Sequence, residues 1–324
     1  MKALLCETHG PAETLVIRDI PEPQAGPGEI AIAVRAAALN FFDTLIIENR
    51  YQTKPGLPFS PSAECAGTVV ALGEGVSGGR IGERVAAWLG YGAARERVVV
   101  PAESVIPIPD GLSDAQAAGL FVTYGTALHG LIQRAGLKTG ETLAVLGAAG
   151  GAGLAAVEIG ALLGARVIAC ASSQDKLALA RRHGAGEGID YGSEDIRAAL
   201  RRLTEGRGVD VLYDTVGGDL AEPALRSMGW EGRYLVVGFA GGGIPKIPLN
   251  LLLLKGCDLR GVFWGDFVKR EPGAQRANME RLLGWVADGR IRAHVHAEIP
   301  LERWTEAYAL IGDRKAQGKI VLTL

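Results

Sequence analysis

Four cysteines, Cys6, Cys65, Cys170 and Cys257, are too few and too scattered for a zinc ribbon or a disulfide framework, and none forms a C-x-x-C pair. They read as buried or reduced thiols. Histidine is also scarce, and of the five only His294 and His296 are close neighbours. Their i, i+2 spacing puts them on one face of a strand, where two ligands without a third do not make a metal site. Excess charge is missing too: 34 basic against 36 acidic residues leave a net charge of −2, with no global attraction for nucleic acid or an anionic membrane. The opening Met1-Lys-Ala-Leu-Leu-Cys-Glu-Thr-His-Gly has no long apolar core, and nothing reaches the roughly 18 apolar residues of a membrane span. These absences lead us to expect a cytoplasmic chain that neither enters membranes nor binds nucleic acid.

Glycine is plentiful at 46 residues, and with a hydrophobic fraction of 48% over 324 residues it fits an α/β protein of two well-buried domains. The first 120 or so residues alternate Pro/Gly punctuation with short β-type runs such as Glu29–Arg35, Gly67–Leu72 and Arg97–Pro101, the pattern of an irregular, mostly β domain. From about Leu120 to Gly261, β candidates at Leu143–Leu146, Arg166–Cys170, Val209–Asp214 and Arg233–Val237 alternate with helical segments, predicting a doubly wound parallel sheet. A helix near Gln275–Asp288, the amphipathic Leu301–Ile311 and a last strand Lys319–Leu324 follow. The expected division is therefore 1–120, completed by 262–324, with 121–261 inserted as the parallel-sheet domain.

The segment Thr142-Leu-Ala-Val-Leu-Gly147-Ala-Ala-Gly150-Gly151-Ala-Gly153 is a β-prone run feeding a glycine turn that opens a helix. Such a turn accepts a dinucleotide: Gly150 lets the backbone approach a pyrophosphate, Gly153 lets the helix pack on the sheet, and the helix N-terminus faces the phosphates. Ala148 stands at the first glycine position of the usual G-x-G-x-x-G. About twenty residues on, where an NAD site carries Asp or Glu, the chain reads Ala171-Ser172-Ser173-Gln174-Asp175-Lys176. Small hydroxyls and a lysine suit a 2′-phosphate, so NADPH is the expected cofactor. Asp175 could equally cap a helix Lys176–His183.

Several further pieces stand in a specific order: Asn40-Phe-Phe-Asp43-Thr, Tyr51 after a short loop, Glu64-Cys-Ala-Gly67-Thr-Val, Gly82-Glu-Arg-Val-Ala, Thr123-Tyr-Gly-Thr126-Ala, the glycine turn, Asp214-Thr-Val-Gly217-Gly and Gly318-Lys-Ile-Val-Leu. On these the whole chain resembles the zinc-free quinone oxidoreductase (zeta-crystallin-like) branch of the medium-chain dehydrogenase/reductases. The resemblance implies a GroES-like, mostly β catalytic domain plus a Rossmann nucleotide-binding domain, with the active cleft between them. Where the family's zinc alcohol dehydrogenases use a cysteine and a histidine, this chain has Asn40 and Ala63, and their four-cysteine lobe is absent. No metal site is expected. Glu64 would then remain as a structural remnant near the cleft.

The same resemblance puts Asn40, Thr126 and Val216 near the nicotinamide, Gly150, Gly151 and Gly153 under the pyrophosphate, and Gly238, Phe239 and Ala240 along the ribose and nicotinamide. Ser172, Ser173, Lys176 and Tyr191 would meet the 2′-phosphate, with Arg314 joining from the C-terminal segment. Phe42, Leu45, Tyr51, Phe263 and Trp264 would bound an apolar, aromatic pocket for a flat conjugated acceptor. Tyr51, with Leu45 where several relatives carry another tyrosine, is the candidate donor to charge developing on the acceptor. The expected reaction is NADPH-dependent, metal-independent reduction of a quinone or related conjugated carbonyl such as an enone. Alternatives are an enoyl-thioester or alkenal reductase, or an NADPH-binding protein with little turnover. The apolar stretch Leu249–Leu254 and Asp258–Phe263 near the edge of the nucleotide sheet favours a homodimer, although an intramolecular helix covering the same surface would explain these leucines equally well.

Overall fold

The computed structural model describes residues 1–324 and divides into two compact units, Met1–Val122 with Arg292–Leu324, and Thr123–Ile291. The second unit is built on six parallel strands, β1 Thr142–Leu146, β2 Arg166–Ala171, β3 Glu187–Asp190, β4 Val209–Asp214, β5 Met228–Val236 and β6 Asp258–Gly261. Their spatial order is β3-β2-β1-β4-β5-β6. Every residue of β1 is buried, which is why that stretch reads as an unbroken apolar run rather than an alternating one. The order reverses at β1, with β2 on one side and β4 on the other. In an open sheet of this kind the ligand crevice lies beyond the carboxyl ends of the strands at that reversal.

Helix Gly151–Leu162 leads from β1 to β2. Its small residues let it lie close to the sheet: a Cβ at Gly160 would stand 2.4 Å from Leu143 Cδ2. The one charged residue on its buried side, Glu158, is tied at both oxygens, receiving the Tyr124 hydroxyl at 2.5 Å and facing His183 Nδ1 at 2.6 Å. The next helix runs Gln174–Arg182, and its N-cap is Ser173, whose Oγ accepts the Lys176 N–H. Ser173 therefore takes the capping place considered for Asp175, which lies in the first turn.

The boundary expected at 261 falls at 291. Helices Trp264–Arg270 and Pro272–Ala287 belong to the parallel-sheet unit because their large side chains pack there. The Trp264 ring sits where a Cβ on Gly125 would need to be, at 2.7 Å. Phe267 stacks on His129 with centroids 3.9 Å apart, and the amides of Gln133 and Asn278 exchange two hydrogen bonds, of 2.9 and 3.2 Å.

The first unit carries a seven-stranded sheet whose path is Val295–Pro300, Lys319–Thr323, Glu29–Leu39, Glu64–Leu72, Arg84–Trp88 and Val105–Pro107, with Arg97–Pro101 also paired to Glu29–Leu39. All pairings are antiparallel except that between Val295–Pro300 and Lys319–Thr323. Leu4, Ile32, Cys65, Val69, Ile320 and Leu322 are among the residues of its core. Strand register sets the neighbours of the central strand's end: Leu39 is opposite Ile320 on one side, and Ala38 is opposite Glu64 on the other. The residue after Leu39, Asn40, thus emerges between the starts of the two neighbouring strands.

Candidate functional site

At the carboxyl end of β1 the chain turns through Gly147, whose φ of +72° is left-handed backbone that favours glycine. The glycines of this turn have different jobs. A Cβ on Gly153 would lie 2.1 Å from the Gly147 carbonyl oxygen, so Gly153 is needed for the turn and helix to meet. A Cβ on Gly150 would have nothing nearer than that same oxygen at 3.5 Å, so the protein itself does not require glycine there. The first bond of the helix runs from the Leu154 N–H to the Gly150 carbonyl at 2.8 Å. The N–H groups of Gly151, Ala152 and Gly153 precede it and have no helical carbonyl one turn back, the arrangement that receives anions.

The loops beyond β4 and β5 close around this end. Asp214 takes the N–H groups of Val216 (2.7 Å) and Gly217 (2.9 Å) on one oxygen and the Tyr234 hydroxyl (2.5 Å) on the other. Burial pushes its carboxyl up, and those three donors counter the rise. Thr215 Oγ1 donates to the Leu146 carbonyl at 2.9 Å, and the Ala240 N–H reaches the Thr215 carbonyl at 3.1 Å. Gly238, Phe239 and Ala240 are thereby held beside Val216. Thr126 lies buried on helix Leu120–Leu128.

At the end of β2, Lys176 Nζ donates to Ser172 Oγ at 3.1 Å. The Tyr191 N–H bonds to the Ala171 carbonyl at 3.0 Å, which fixes Tyr191 alongside the Ser172–Ser173 segment. Four of the five residues predicted for a 2′-phosphate are thus grouped here. The fifth, Arg314, belongs to the other unit, exposed and with a φ of +57°.

In the first unit, helix Phe41–Ile47 starts at Asn40. Asp43 organises that start: its Oδ2 accepts the Asn40 N–H at 2.7 Å and its Oδ1 the Ser62 N–H at 3.1 Å. It is wholly buried. Burial pushes its carboxyl up to about 7; the two N–H groups and the Lys319 charge oppose the rise, and the Glu64 charge adds to it. Tyr51 stacks on Phe42, with centroids 5.3 Å apart and planes at 19°. Burial, then the Asp43 charge, raise its phenol above the usual tyrosine range, so it stays a hydrogen-bond donor at neutral pH. Leu45 is half-buried on the same helix.

The Asn40 side chain meets two charged groups. Its Nδ2 donates to Glu64 Oε1 at 3.0 Å, and its Oδ1 accepts from Lys319 Nζ at 2.5 Å. Lys319 Nζ is also 2.6 Å from Glu64 Oε1, and Glu64 Oε2 accepts the Val122 N–H at 2.9 Å. Glu64 is fully buried and Lys319 is 5% exposed. Removing one member of such a buried pair costs about 3–5 kcal/mol, because the other charge is left uncompensated. Sequence reasoning placed Asn40 here and noted Glu64, but missed Lys319 as part of a site. Its signal was a lone charge opening an otherwise apolar last strand.

The pocket residues assigned beyond residue 261 divide. Phe263 is 52% exposed, whereas Trp264 is buried, its indole N–H given to Gln275 at 3.1 Å and its ring packed on Gly125. Trp264 packs inside its own unit, so of the two it is Phe263 that offers an exposed ring. No group of three or more His, Cys, Asp or Glu is positioned to hold a metal ion.

A two-domain arrangement with a glycine turn at the switch point of a 3-2-1-4-5-6 sheet defines a dinucleotide-fold dehydrogenase or reductase. Residues 26–110 match the alcohol dehydrogenase GroES-like domain and residues 151–286 the zinc-binding dehydrogenase family. The chain is 37% identical to quinone oxidoreductase-like protein 2 homolog of Nematostella vectensis, across 99% of this chain and 88% of that one. It is 33% identical to a quinone oxidoreductase of Pseudomonas aeruginosa across 99% of each. The solved quinone oxidoreductase of Escherichia coli in complex with NADPH superposes with a TM-score of 0.93 at 27% identity, covering 100% of both chains. The chain belongs to the quinone-oxidoreductase-like branch of the medium-chain dehydrogenase/reductase family.

Proposed function

We propose that this protein is an NADPH-dependent reductase of quinones or closely related conjugated carbonyls, acting without a metal. The observation that carries the cofactor choice is the end of β2. It presents Ser172, Ser173 and Lys176 beside the glycine turn, with Lys176 already directed at Ser172, in the place where a carboxylate would serve a free 2′-hydroxyl. The acceptor class rests on near-full-length similarity to proteins named as quinone oxidoreductases.

When bound, NADPH supplies the hydride. The chain's own part is to hold and orient. Gly151, Ala152 and Gly153 would offer their backbone N–H groups to the pyrophosphate, with Gly150 leaving the approach open; Ser172, Ser173, Lys176 and Tyr191 would take the 2′-phosphate, with Arg314 assigned to it through family resemblance. Thr126, Val216 and Gly238–Ala240 shape the nicotinamide end. In the first unit, Phe42 and Leu45 offer an apolar surface, Asn40 an amide, and Tyr51 a protonated phenol to oxygen that gains charge during reduction. An acceptor that is already electrophilic needs no Lewis acid, in keeping with Asn40 and Ala63 at the zinc-ligand positions.

The test is NADPH consumption against a panel of quinones, alkenals and enoyl thioesters. Quinones turning over with the highest kcat/KM support the reading, thioester preference moves it to the enoyl reductases, and binding without turnover on any acceptor defeats it.

We further propose a homodimer through the β6 edge. Strand β6 pairs only with β5, and the adjacent helix Asn250–Lys255 leaves Leu253 and Leu254 81% and 71% exposed. Such an edge and apolar face favour a second copy. Light scattering at micromolar concentration should return twice 33.9 kDa, and a monomer mass would reject it. No helix is long and apolar enough to cross a membrane. The four cysteines are all free and buried, which supports a reducing, cytoplasmic setting, and the net charge of −2 gives no reason to add nucleic acid as a partner.

A further inference from the structure

We propose that Lys319 is a positioning residue for the reduction, holding the Asn40 amide in a single orientation. The inference rests on the proposed role of Asn40 toward the cofactor or the acceptor. An asparagine amide has two nearly isosteric ends, and which one faces a ligand decides whether it donates or accepts. Here both ends are specified by charge. Lys319 Nζ, a donor only, stands 2.5 Å from Oδ1, and Glu64 Oε1, which already takes the ammonium at 2.6 Å, receives Nδ2 at 3.0 Å. Turning the amide over would set its NH2 against the ammonium and its oxygen against the carboxylate, trading two charge-assisted bonds for two repulsions in a site shielded from water.

The fold spends space on this lysine. Gly119, at the end of helix Asp114–Ala118, has an ordinary φ of −89°, so its backbone does not demand glycine. A Cβ there would stand 2.8 Å from Lys319 Cγ and 3.4–3.5 Å from Cε and Cδ: the glycine makes the channel through which the stem reaches Asn40. The oriented amide keeps one N–H that neither Glu64 nor Lys319 uses, suited to an oxygen of the nicotinamide carboxamide or of a carbonyl acceptor. Lys319 acts through Asn40 and need not touch the ligand.

The experiment is a double-mutant cycle on the full-length protein with NADPH and a quinone, reading kcat, KM and, by fluorescence titration, the NADPH Kd. Lys319→Met alone strands the Glu64 charge, so it is combined with Glu64→Gln, which removes both charges and keeps a buried side chain of similar shape. The expected result is a kcat at least about tenfold lower in Lys319→Met/Glu64→Gln, with a native thermal transition. Asn40→Ala should be slowed comparably, and adding Asn40→Ala to the pair should cost little more, since all three changes remove the same oriented amide. Full kcat in Lys319→Met/Glu64→Gln, while Asn40→Ala is slow, overturns the inference and leaves the reading of Asn40 standing. Effects that multiply independently also overturn it. Full kcat in Asn40→Ala overturns that reading, and the inference with it.

Discussion

Exchanging glycine for a larger residue should have opposite consequences three positions apart in the same turn. Gly150 has φ −75° and ψ 165°, which valine adopts without strain, and its added Cβ would meet nothing closer than 3.5 Å. Gly150→Val should therefore cost only about 1 kcal/mol, mainly from a poorer N-cap. For a unit of this size that lowers Tm by roughly 2–4 °C. Its isopropyl group, however, occupies the approach to the free N–H groups of the helix, and NADPH affinity should fall at least a hundredfold, about 2.7 kcal/mol or more. Gly153→Ala is the reverse case. Its methyl would lie 2.1, 2.8 and 3.0 Å from three backbone atoms of Gly147 and Ala148, and only a shift of the whole turn relieves that. Overpacking of this kind costs about 1–3 kcal/mol or more, so this smaller substitution should be the more damaging to the fold. Chemical denaturation and NADPH fluorescence titration on both variants decide the matter. A Gly150→Val protein that binds NADPH with unchanged Kd, or a Gly153→Ala protein as stable as the parent, refutes the assignment of roles.

Lys176→Ala should weaken NADPH by about 10- to 100-fold, the worth of a charged hydrogen bond, and leave NADH unaffected; equal loss for both cofactors in parallel titrations would contradict the 2′-phosphate assignment. Tyr51→Phe keeps the stack on Phe42 and removes only the hydroxyl. If the phenol matters as an oxyanion donor does, single-turnover reduction should slow by about 10²–10³ with NADPH affinity intact, and an unchanged rate on every acceptor makes Tyr51 a packing residue. Asp43 gives a pH signature. Its folded-state carboxyl titrates at about 7, above the unfolded range, so the folded state holds the proton more tightly. That contribution is fully present below the unfolded pKa and is lost as pH rises through about 7, at most about 4 kcal/mol. Between pH 5 and pH 8 the parent should lose more stability than Asp43→Asn in urea titrations, and parallel pH profiles would show that Asp43 is ionised throughout.

Local signals carried much of this architecture. The β1 run and its glycine turn are legible because a strand buried on both faces is uniformly apolar and because only glycine tolerates the Gly153 approach. The helix near Gln275–Asp288 is readable in the sequence but Trp264–Arg270 is not, and which unit they join depends on Trp264 meeting Gly125 and Phe267 meeting His129, contacts across more than a hundred residues that periodicity does not encode. The sequence offers Asp175 as a cap for a helix starting at Lys176, but the helix starts two residues earlier, at Gln174, and Ser173 accepts the Lys176 N–H. The Asn40–Glu64–Lys319 cluster was hidden for a different reason. Its members are brought together by strand register on both sides of Glu29–Leu39, and in the sequence Lys319 appears only within the terminal Gly318-Lys-Ile-Val-Leu piece, with nothing to join it to Asn40.

Metal-free hydride transfer from NADPH is tested most directly by an anaerobic stopped-flow measurement of NADPH absorbance with chelator-treated protein and a simple quinone. Enzyme-bound NADPH should be oxidised in stoichiometric amounts, with the chelator making no difference and NADH reacting only at much higher concentration. NADPH that binds but is not oxidised, or oxidation that the chelator abolishes, would contradict the proposed reaction.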